Sequence, residues 1–204
     1  MDSSASTSKP TSHTPIVCIF GSYSPEPGQP LYQLAYEIGH ALAGAGYCVA
    51  NGGYDGTMEA SHRGAKDAGG CTVGMTCSIF GSYRQVPLQA NRYCDEEVHF
   101  DNVMHRIDRM MQISSAYVFL EGGTGTLSEL GLAWEYVAKG LIKPRPIFIV
   151  GDFWRPMVER LMAARPKSGK HIHLVESARQ IIDRLKPASG KVPAGAGLPA
   201  NLTA

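Results

Sequence analysis

The chain has 204 residues, enough for one domain with modest tails, and its 44% hydrophobic content is enough to bury a sizeable core. Its 19 basic and 18 acidic residues leave a formal charge of +1. With no basic block in the sequence, this argues against a nucleic-acid polymer or an anionic membrane surface as the main partner. No run of about 18 apolar residues is present, so a transmembrane helix is not expected.

Residues 1–15 are rich in Ser and Thr and lack the apolar stretch of a secretory signal, and with one Lys and no Arg they speak only weakly for a transit peptide. They are read as a disordered tail on a cytoplasmic protein. Ile-Val-Cys-Ile-Phe at 16–20 predicts a first buried strand, followed by the loop Gly21-Ser22-Tyr23-Ser24. Apolar residues at Leu31, Leu34, Ala35, Ile38, Ala41, Leu42 and Ala45 fit a helical period that Gly46 ends. A second strand over 47–50 leads into Asn51-Gly52-Gly53-Tyr54-Asp55-Gly56, a second helix over 57–68, and a third strand over 71–75. Residues 76–92 read as irregular. Residues 96–100 alternate Glu97 and His99 against Val98 and Phe100 and suggest a short strand.

A helix over 102–115 carries Val103, Ile107, Met110 and Met111 on one face. A strand over 117–120, a helix over 127–140, a strand over 146–150, a helix over 154–164, a short strand over 173–175 and a Ser177-capped helix to residue 185 follow. Beyond Pro187 the small Gly- and Pro-rich residues read as a second disordered tail. Alternating strands and helices with near-continuous apolar strands predict an α/β, doubly wound, Rossmann-like parallel sheet in a single domain over 16–186. In such sheets ligands sit beyond the carboxyl ends of the strands, which is where the loops at 21–24, 51–56 and 121–126 fall.

The most informative segment is Leu120-Glu121-Gly122-Gly123-Thr124-Gly125-Thr126-Leu127-Ser128-Glu129. Glycines and threonines at a strand-to-helix turn leave backbone N–H groups free at a helix N-terminus, a site suited to phosphate. Glu129 follows about one turn later, where a binder of phosphate alone has no obvious use for an acid. An acid there could also simply stabilise the helix macrodipole, by roughly 0.3–1 kcal/mol. Arg106 and Arg109 lie on the preceding helix, whose start reaches the mouth of the sheet. That geometry favours Arg106, although a helical arginine is ordinarily solvated. The sequence contains neither the nicotinamide fingerprint nor a P-loop.

Other residues carry plainer readings. His171 and His173 are expected at a strand edge or in solvent, with no third metal ligand nearby. Trp134 and Tyr136 read as core or interface residues. The five cysteines are odd in number and form no Cys-x-x-Cys pair, which predicts buried free thiols in a reducing compartment.

Gly122-Gly123-Thr124-Gly125-Thr126-Leu127-Ser128-Glu129 resembles the Gly-Gly-x-Gly-Thr-x-x-Glu motif of the LONELY GUY family. These are cytokinin riboside 5′-monophosphate phosphoribohydrolases that are often mislabelled lysine decarboxylases. The resemblance extends over about residues 16–185. Gly21-Ser22 resembles the family's first loop, and Gly52-Gly53 with Gly56 and Met58 its second. Met104, Arg106 and Met110 resemble its arginine helix, while Trp134 and Lys143-Pro144 resemble further family positions. Three positions depart from the pattern: Glu121 stands where the family usually has proline, Ile107 where it has lysine, and Asn51 where it has a third glycine.

The resemblance implies an enzyme that hydrolyses the N-glycosidic bond of a nucleoside 5′-monophosphate, with Arg106 and Glu129 as the catalytic pair. Gly21, Ser22, Gly52, Gly53, Gly122, Gly123, Thr124, Gly125 and Thr126 are the expected substrate- and phosphate-binding residues. Neither a metal nor a redox cofactor is required. A homodimer is implied as well, with the Val103/Ile107/Met110/Met111 face either contributing to the interface or packing on the sheet. Tyr23, Tyr54, Met75 and the 76–92 stretch are candidates for a base pocket. The alternative is a binding protein, since molybdenum-cofactor carriers are similar in fold and hold a phosphorylated pterin in an equivalent cleft. Lysine decarboxylation is disfavoured, because Lys139 and Lys143 read as helix-end charges.

Overall fold

A computed structural model of the chain describes residues 14–80 and 89–185. Residues 1–13 and 187–204 of the expected tails and residues 81–88 of the stretch expected to be irregular lie outside the described residues. Seven strands, β1 (Ile16–Phe20), β2 (Cys48–Asn51), β3 (Thr72–Cys77), β4 (Glu96–Phe100), β5 (Ser114–Phe119), β6 (Ile147–Val150) and β7 (Ile172–Val175), form one all-parallel sheet in the order β4-β3-β2-β1-β5-β6-β7. Among the described residues, α1 (Pro30–Gly44), α2 (Thr57–Asp67), α3 (Val103–Ile113), α4 (Thr124–Ala138) and α5 (Arg155–Ala164) lie between strands, and α6 (Ala178–Arg184) follows β7. A 3-10 turn over Pro166–His171 precedes β7.

The fold follows from where each apolar side chain can go. Side chains along a strand alternate between faces, so β1 sends Val17 and Ile19 to one layer and Ile16, Cys18 and Phe20 to the other. The first layer is closed by Tyr32, Ala35, Ile38 and Leu42 of α1, Ala60 and Ala65 of α2 and Ile181 of α6. The second is closed by Ile107, Met110 and Met111 of α3, Leu130, Ala133, Trp134 and Val137 of α4, and Val158 of α5. The apolar face of α3 is thus consumed by the chain's own core; of the large apolar side chains on that helix, Met104 is the exposed one, at 57%. Trp134 is a core residue whose indole N–H donates to the Ser168 carbonyl at 2.9 Å. The strand β4 lies at the sheet edge, with Val98 and Phe100 buried and Glu97 and His99 exposed, the one-sided pattern of an edge.

Local signals fix the helix boundaries. Pro30 begins α1, where its missing N–H costs nothing, and Gly46 at φ 86° supports the turn after it. The Asn102 side chain accepts from the N–H groups of Met104 and His105 and caps α3. Several boundaries differ from expectation: β3 runs on to Cys77, through two residues read as irregular, and two others bear on the site. First, β5 begins at Ser114, directly after α3, because the Arg145 guanidinium takes up the carbonyls of Met111, Gln112 and Ser114 that would otherwise need a loop. Second, α4 begins inside the glycine segment, at Thr124. No helix among the described residues is long and apolar enough to cross a membrane.

Candidate active site

The strand order reverses direction between β1 and β5, so the loops leaving these two strands diverge to opposite faces and open a crevice at the carboxyl edge. The loops are nonetheless tied together. The Ser22 N–H donates to the Glu121 carbonyl at 2.9 Å, and the Ser22 carbonyl accepts from both the N–H and the hydroxyl of buried Thr57, each at 2.9 Å. A side chain at position 21 would meet the Thr57 hydroxyl at 2.7 Å and Leu120 Cβ at 3.1 Å, so only glycine lets the two loops approach this closely. Gly56, at φ 68°, passes against the backbone of Ser22 and Tyr23.

The second loop is built around Asn51, which is fully buried at the end of β2. Its side-chain oxygen accepts the Gly53 N–H at 2.7 Å, and its amide donates to the Met58 carbonyl at 3.0 Å and the Ser61 hydroxyl at 3.1 Å. Here Asn51 does with its side chain what a third glycine could do only with backbone freedom, which explains one departure from the family pattern. The sequence signal was a polar residue closing an otherwise buried strand. Gly52 then packs its bare Cα against the Arg106 guanidinium, and a methyl group there would collide with Nη2 and lie 2.8 Å from Met58 Sδ.

Arg106 is 5% exposed and anchored on several sides. Its Nε–H donates to the Met75 carbonyl at 2.5 Å, its guanidinium carbon lies 5.5 Å over the Phe80 ring, and its Nη1 is 3.6 Å from Oε1 of Glu129. Glu129 is 9% exposed and projects from the buried side of α4, with no acid in the first turn of that helix. The macrodipole reading therefore does not describe it. Burial pushes the Glu129 carboxyl up from 4.5 to about 7, against the opposing pull of Arg106. The result is a carboxyl group close to half-ionised at neutral pH, held next to a fixed cation.

The N-terminus of α4 is uncapped by any side chain, with Gly123 at the cap position. Gly123, Thr124 and Gly125 are exposed, and a Cβ added at Gly123 or Gly125 would meet nothing within 4 Å. Gly122 is different: a side chain there would strike the Thr126 hydroxyl, so Gly122 lets the chain fold back over the helix start. This end of α4 therefore presents open backbone and positive partial charge, the arrangement that suits an anion.

The remaining residues fall into place around this centre. Ile107 is 4% exposed in the core, where an apolar side chain fits, and the Glu121 side chain is exposed. Tyr23 is exposed at 59% beside the mouth. Tyr54 and Met75 are less suited to a base pocket than their sequence positions suggest. The Tyr54 hydroxyl bonds both the N–H and the carbonyl of Cys77, and the Met75 side chain is fully buried. His173 lies on β7 with its ring 5.4 Å from Phe148. The 81–88 part of the expected base-side segment lies outside the described residues.

Comparison with known proteins agrees with this architecture. The chain is 35% identical over 119 residues to a cytokinin riboside 5′-monophosphate phosphoribohydrolase of Mycobacterium tuberculosis, covering 58% of this chain and 61% of that enzyme. The chain thus spans about six tenths of that relative's length. It is 28% identical over 148 residues to the enzyme of the same description from Rhodococcoides fascians, covering 70% and 71% of the two chains. Among solved structures, the molybdenum cofactor binding protein of Rippkaea orientalis superposes with a TM-score of 0.65 at 24% identity, over 85% of this chain and 96% of that one. The molybdenum cofactor carrier protein of Chlamydomonas reinhardtii superposes with the same TM-score at 20% identity, over 84% and 95%. At these identities the superpositions speak for the fold alone. A family model described as the SLOG cluster4 family matches residues 14–182, and the chain belongs to that family.

Proposed function

We propose that the protein is a phosphoribohydrolase that cleaves the N-glycosidic bond of a nucleoside 5′-monophosphate, yielding free base and ribose 5-phosphate. The observation that carries this reading is the buried Arg106–Glu129 pair, 3.6 Å apart, which joins α3 to α4, the helix whose uncapped N-terminus opens at the mouth of the sheet. The 5′-phosphate binds the amides of Thr124, Gly125 and Thr126, with Gly21, Ser22, Gly52, Gly53, Gly122 and Gly123 shaping the surrounding loops. Holding a remote phosphate lets binding energy position the sugar.

Breaking the C–N bond leaves positive charge on the ribose ring, as in glycoside hydrolysis. Ionised Glu129 faces that charge, engages the ribose hydroxyls and orients the attacking water. The water oxygen bonds to C1′ while the glycosidic electron pair leaves with the base, which regains a proton. Arg106 stabilises the negative charge that develops as the base departs. Its bond to the Met75 carbonyl and its contact with Gly52 keep it from swinging away, so the electrostatic field is preorganised.

The test is release of free base from a panel of purine, pyrimidine and cytokinin nucleoside monophosphates, each run beside its nucleoside. Release from at least one monophosphate is expected, with loss in Glu129→Ala and Arg106→Ala and little reaction of the nucleoside lacking phosphate. Release that is unchanged in both variants would refute the assigned roles. A second reading is a carrier of a phosphorylated pterin, a role that the fold shared with two molybdenum cofactor proteins leaves open. No base release together with tight pterin-phosphate binding would establish the carrier instead.

A further inference from the structure

The five cysteines are free, and they are not equivalent. Cys48 opens β2, and Cys71 immediately precedes β3. The parallel register pairs Val49 with Thr72 and Ala50 with Val73, and the Val49 N–H donates to the Cys71 carbonyl at 3.0 Å. One step back along the same register, Cys48 stands opposite Cys71. Both side chains turn to the α3/α4 face, where Cys48 is fully buried and Cys71 partly exposed. The two side chains are thus neighbours on one face of adjacent strands.

Neighbouring strands run about 4.7–4.9 Å apart, inside the window of about 4.4–6.8 Å between Cα atoms that a disulfide spans. Any adjustment falls where the backbone can yield. Cys71 is outside the regular strand and follows Gly69-Gly70, with Gly69 at φ 74°. This places the pair at the amino edge of the sheet, at the opposite end of the strands from Arg106 and Glu129.

We infer that Cys48 and Cys71 form a redox-modification site, a cross-strand dithiol that a peroxide oxidises to a reversible disulfide. The chemistry is asymmetric. The Cys48 S–H donates toward Cys71, which pulls the Cys71 thiol below its ordinary value and pushes the Cys48 thiol up. Lys66 favours the Cys71 thiolate, and Asp95, paired with Lys66 at 2.5 Å, opposes it. Cys18 and Cys94 are worse nucleophiles, and Cys77 is buried at 2% exposure. Burial pushes Cys18 up to about 12, and Cys94, up to about 11, points its thiol at the Glu96 carbonyl.

The Cys71 thiolate attacks one peroxide oxygen, the O–O bond breaks and hydroxide leaves, giving a sulfenic acid on Cys71. Cys48 then loses its proton and its sulfur attacks the Cys71 sulfur. The S–S bond forms, the S–O bond breaks, and the departing hydroxide takes that proton as water. Two thiols give two electrons to one peroxide, and an external dithiol returns them.

The experiment treats the full chain with hydrogen peroxide and maps the bridged residues by tandem mass spectrometry without reduction. A Cys48–Cys71 cross-link that dithiothreitol removes is expected in the wild type. Cys71→Ser should slow oxidation of the dithiol partner by at least about tenfold. Cys48→Ser, with Cys48→Ala as a second variant should serine unsettle the core, should halt Cys71 at a sulfenic acid that dimedone traps. A wild-type Cys71 that accumulates sulfinic acid without the cross-link, or a Cys94 that reacts before Cys71, would overturn the inference. The wild-type map decides the matter even if neither Cys48 variant folds.

Discussion

Replacing Glu129 by Gln should stabilise the protein in a pH-dependent way while abolishing activity. The folded-state carboxyl titrates near 7 and the unfolded one near 4.5. Below pH 4.5 both states hold the proton, so burial of Glu129 carries no ionisation cost. Between pH 4.5 and 7 the unfolded chain releases its proton while the native state retains it, and stability falls. Above pH 7 the loss is complete. At about 1.4 kcal/mol per tenfold change in proton affinity, the difference amounts to about 3 kcal/mol. Glutamine mimics the protonated acid at every pH. The variant should therefore match the wild type at pH 4 and exceed it by about 3 kcal/mol at pH 8, a rise in midpoint of roughly 6–12 °C for a chain of this size. Urea unfolding at both pH values, with the m-value checked for constancy, measures this directly. A stability difference that does not change between pH 4 and pH 8 would refute the buried-acid reasoning. The predicted combination, a more stable yet inactive variant, is what a site that stores electrostatic strain should give.

Three further perturbations follow from the same geometry. Arg106→Met removes the cation that holds the Glu129 carboxyl down, so the acidic limb of the kcat/KM profile should move to higher pH as kcat falls; an unmoved limb would mean that the two groups are not coupled. Gly52→Ala forces a methyl group into the fixed Arg106 guanidinium and within 2.8 Å of Met58 Sδ, and should cost about 1–3 kcal/mol in thermal or urea unfolding along with most of the activity. Asn51→Ala deprives the buried Gly53 N–H of its acceptor and should cost about 1–3 kcal/mol; retention of full stability would show that the loop is held by other contacts.

The parts of this architecture that were readable in advance depend on patterns short enough to lie within one element. Residues 16–20 are apolar at every position because both faces of β1 are covered, and the strand is where that run predicts it. The Glu97/His99 alternation announced a short strand, and Ser177 announced the start of α6. The element starts that were misplaced depend on distant partners. Glycines at 123 and 125 suggested that α4 begins later, yet the helix forms through them because α4 packs Leu130, Ala133 and Trp134 onto the sheet. The early start of β5 needs Arg145, which is remote in sequence.

The site shows the same division. Its glycines and the acid were visible as a motif, and the direction of α3 singled out Arg106. The burial of Glu129 was not visible, because an acid on a helix ordinarily faces water. Only the docking of α4 against Arg106 removes it from solvent. The role of Asn51 was hidden for a related reason: one of its three hydrogen bonds closes the loop at Gly53 and the other two reach into α2, and sequence alone does not report such contacts.

The most direct measurement is a crystal structure of Glu129→Ala bound to an intact nucleoside 5′-monophosphate. The account predicts the phosphate within hydrogen-bond distance of the amides of residues 124–126, with the ribose C1′ facing the space that the carboxyl group vacated and the Arg106 guanidinium toward the base. A phosphate bound elsewhere on the chain, or a sugar directed away from residue 129, would contradict it.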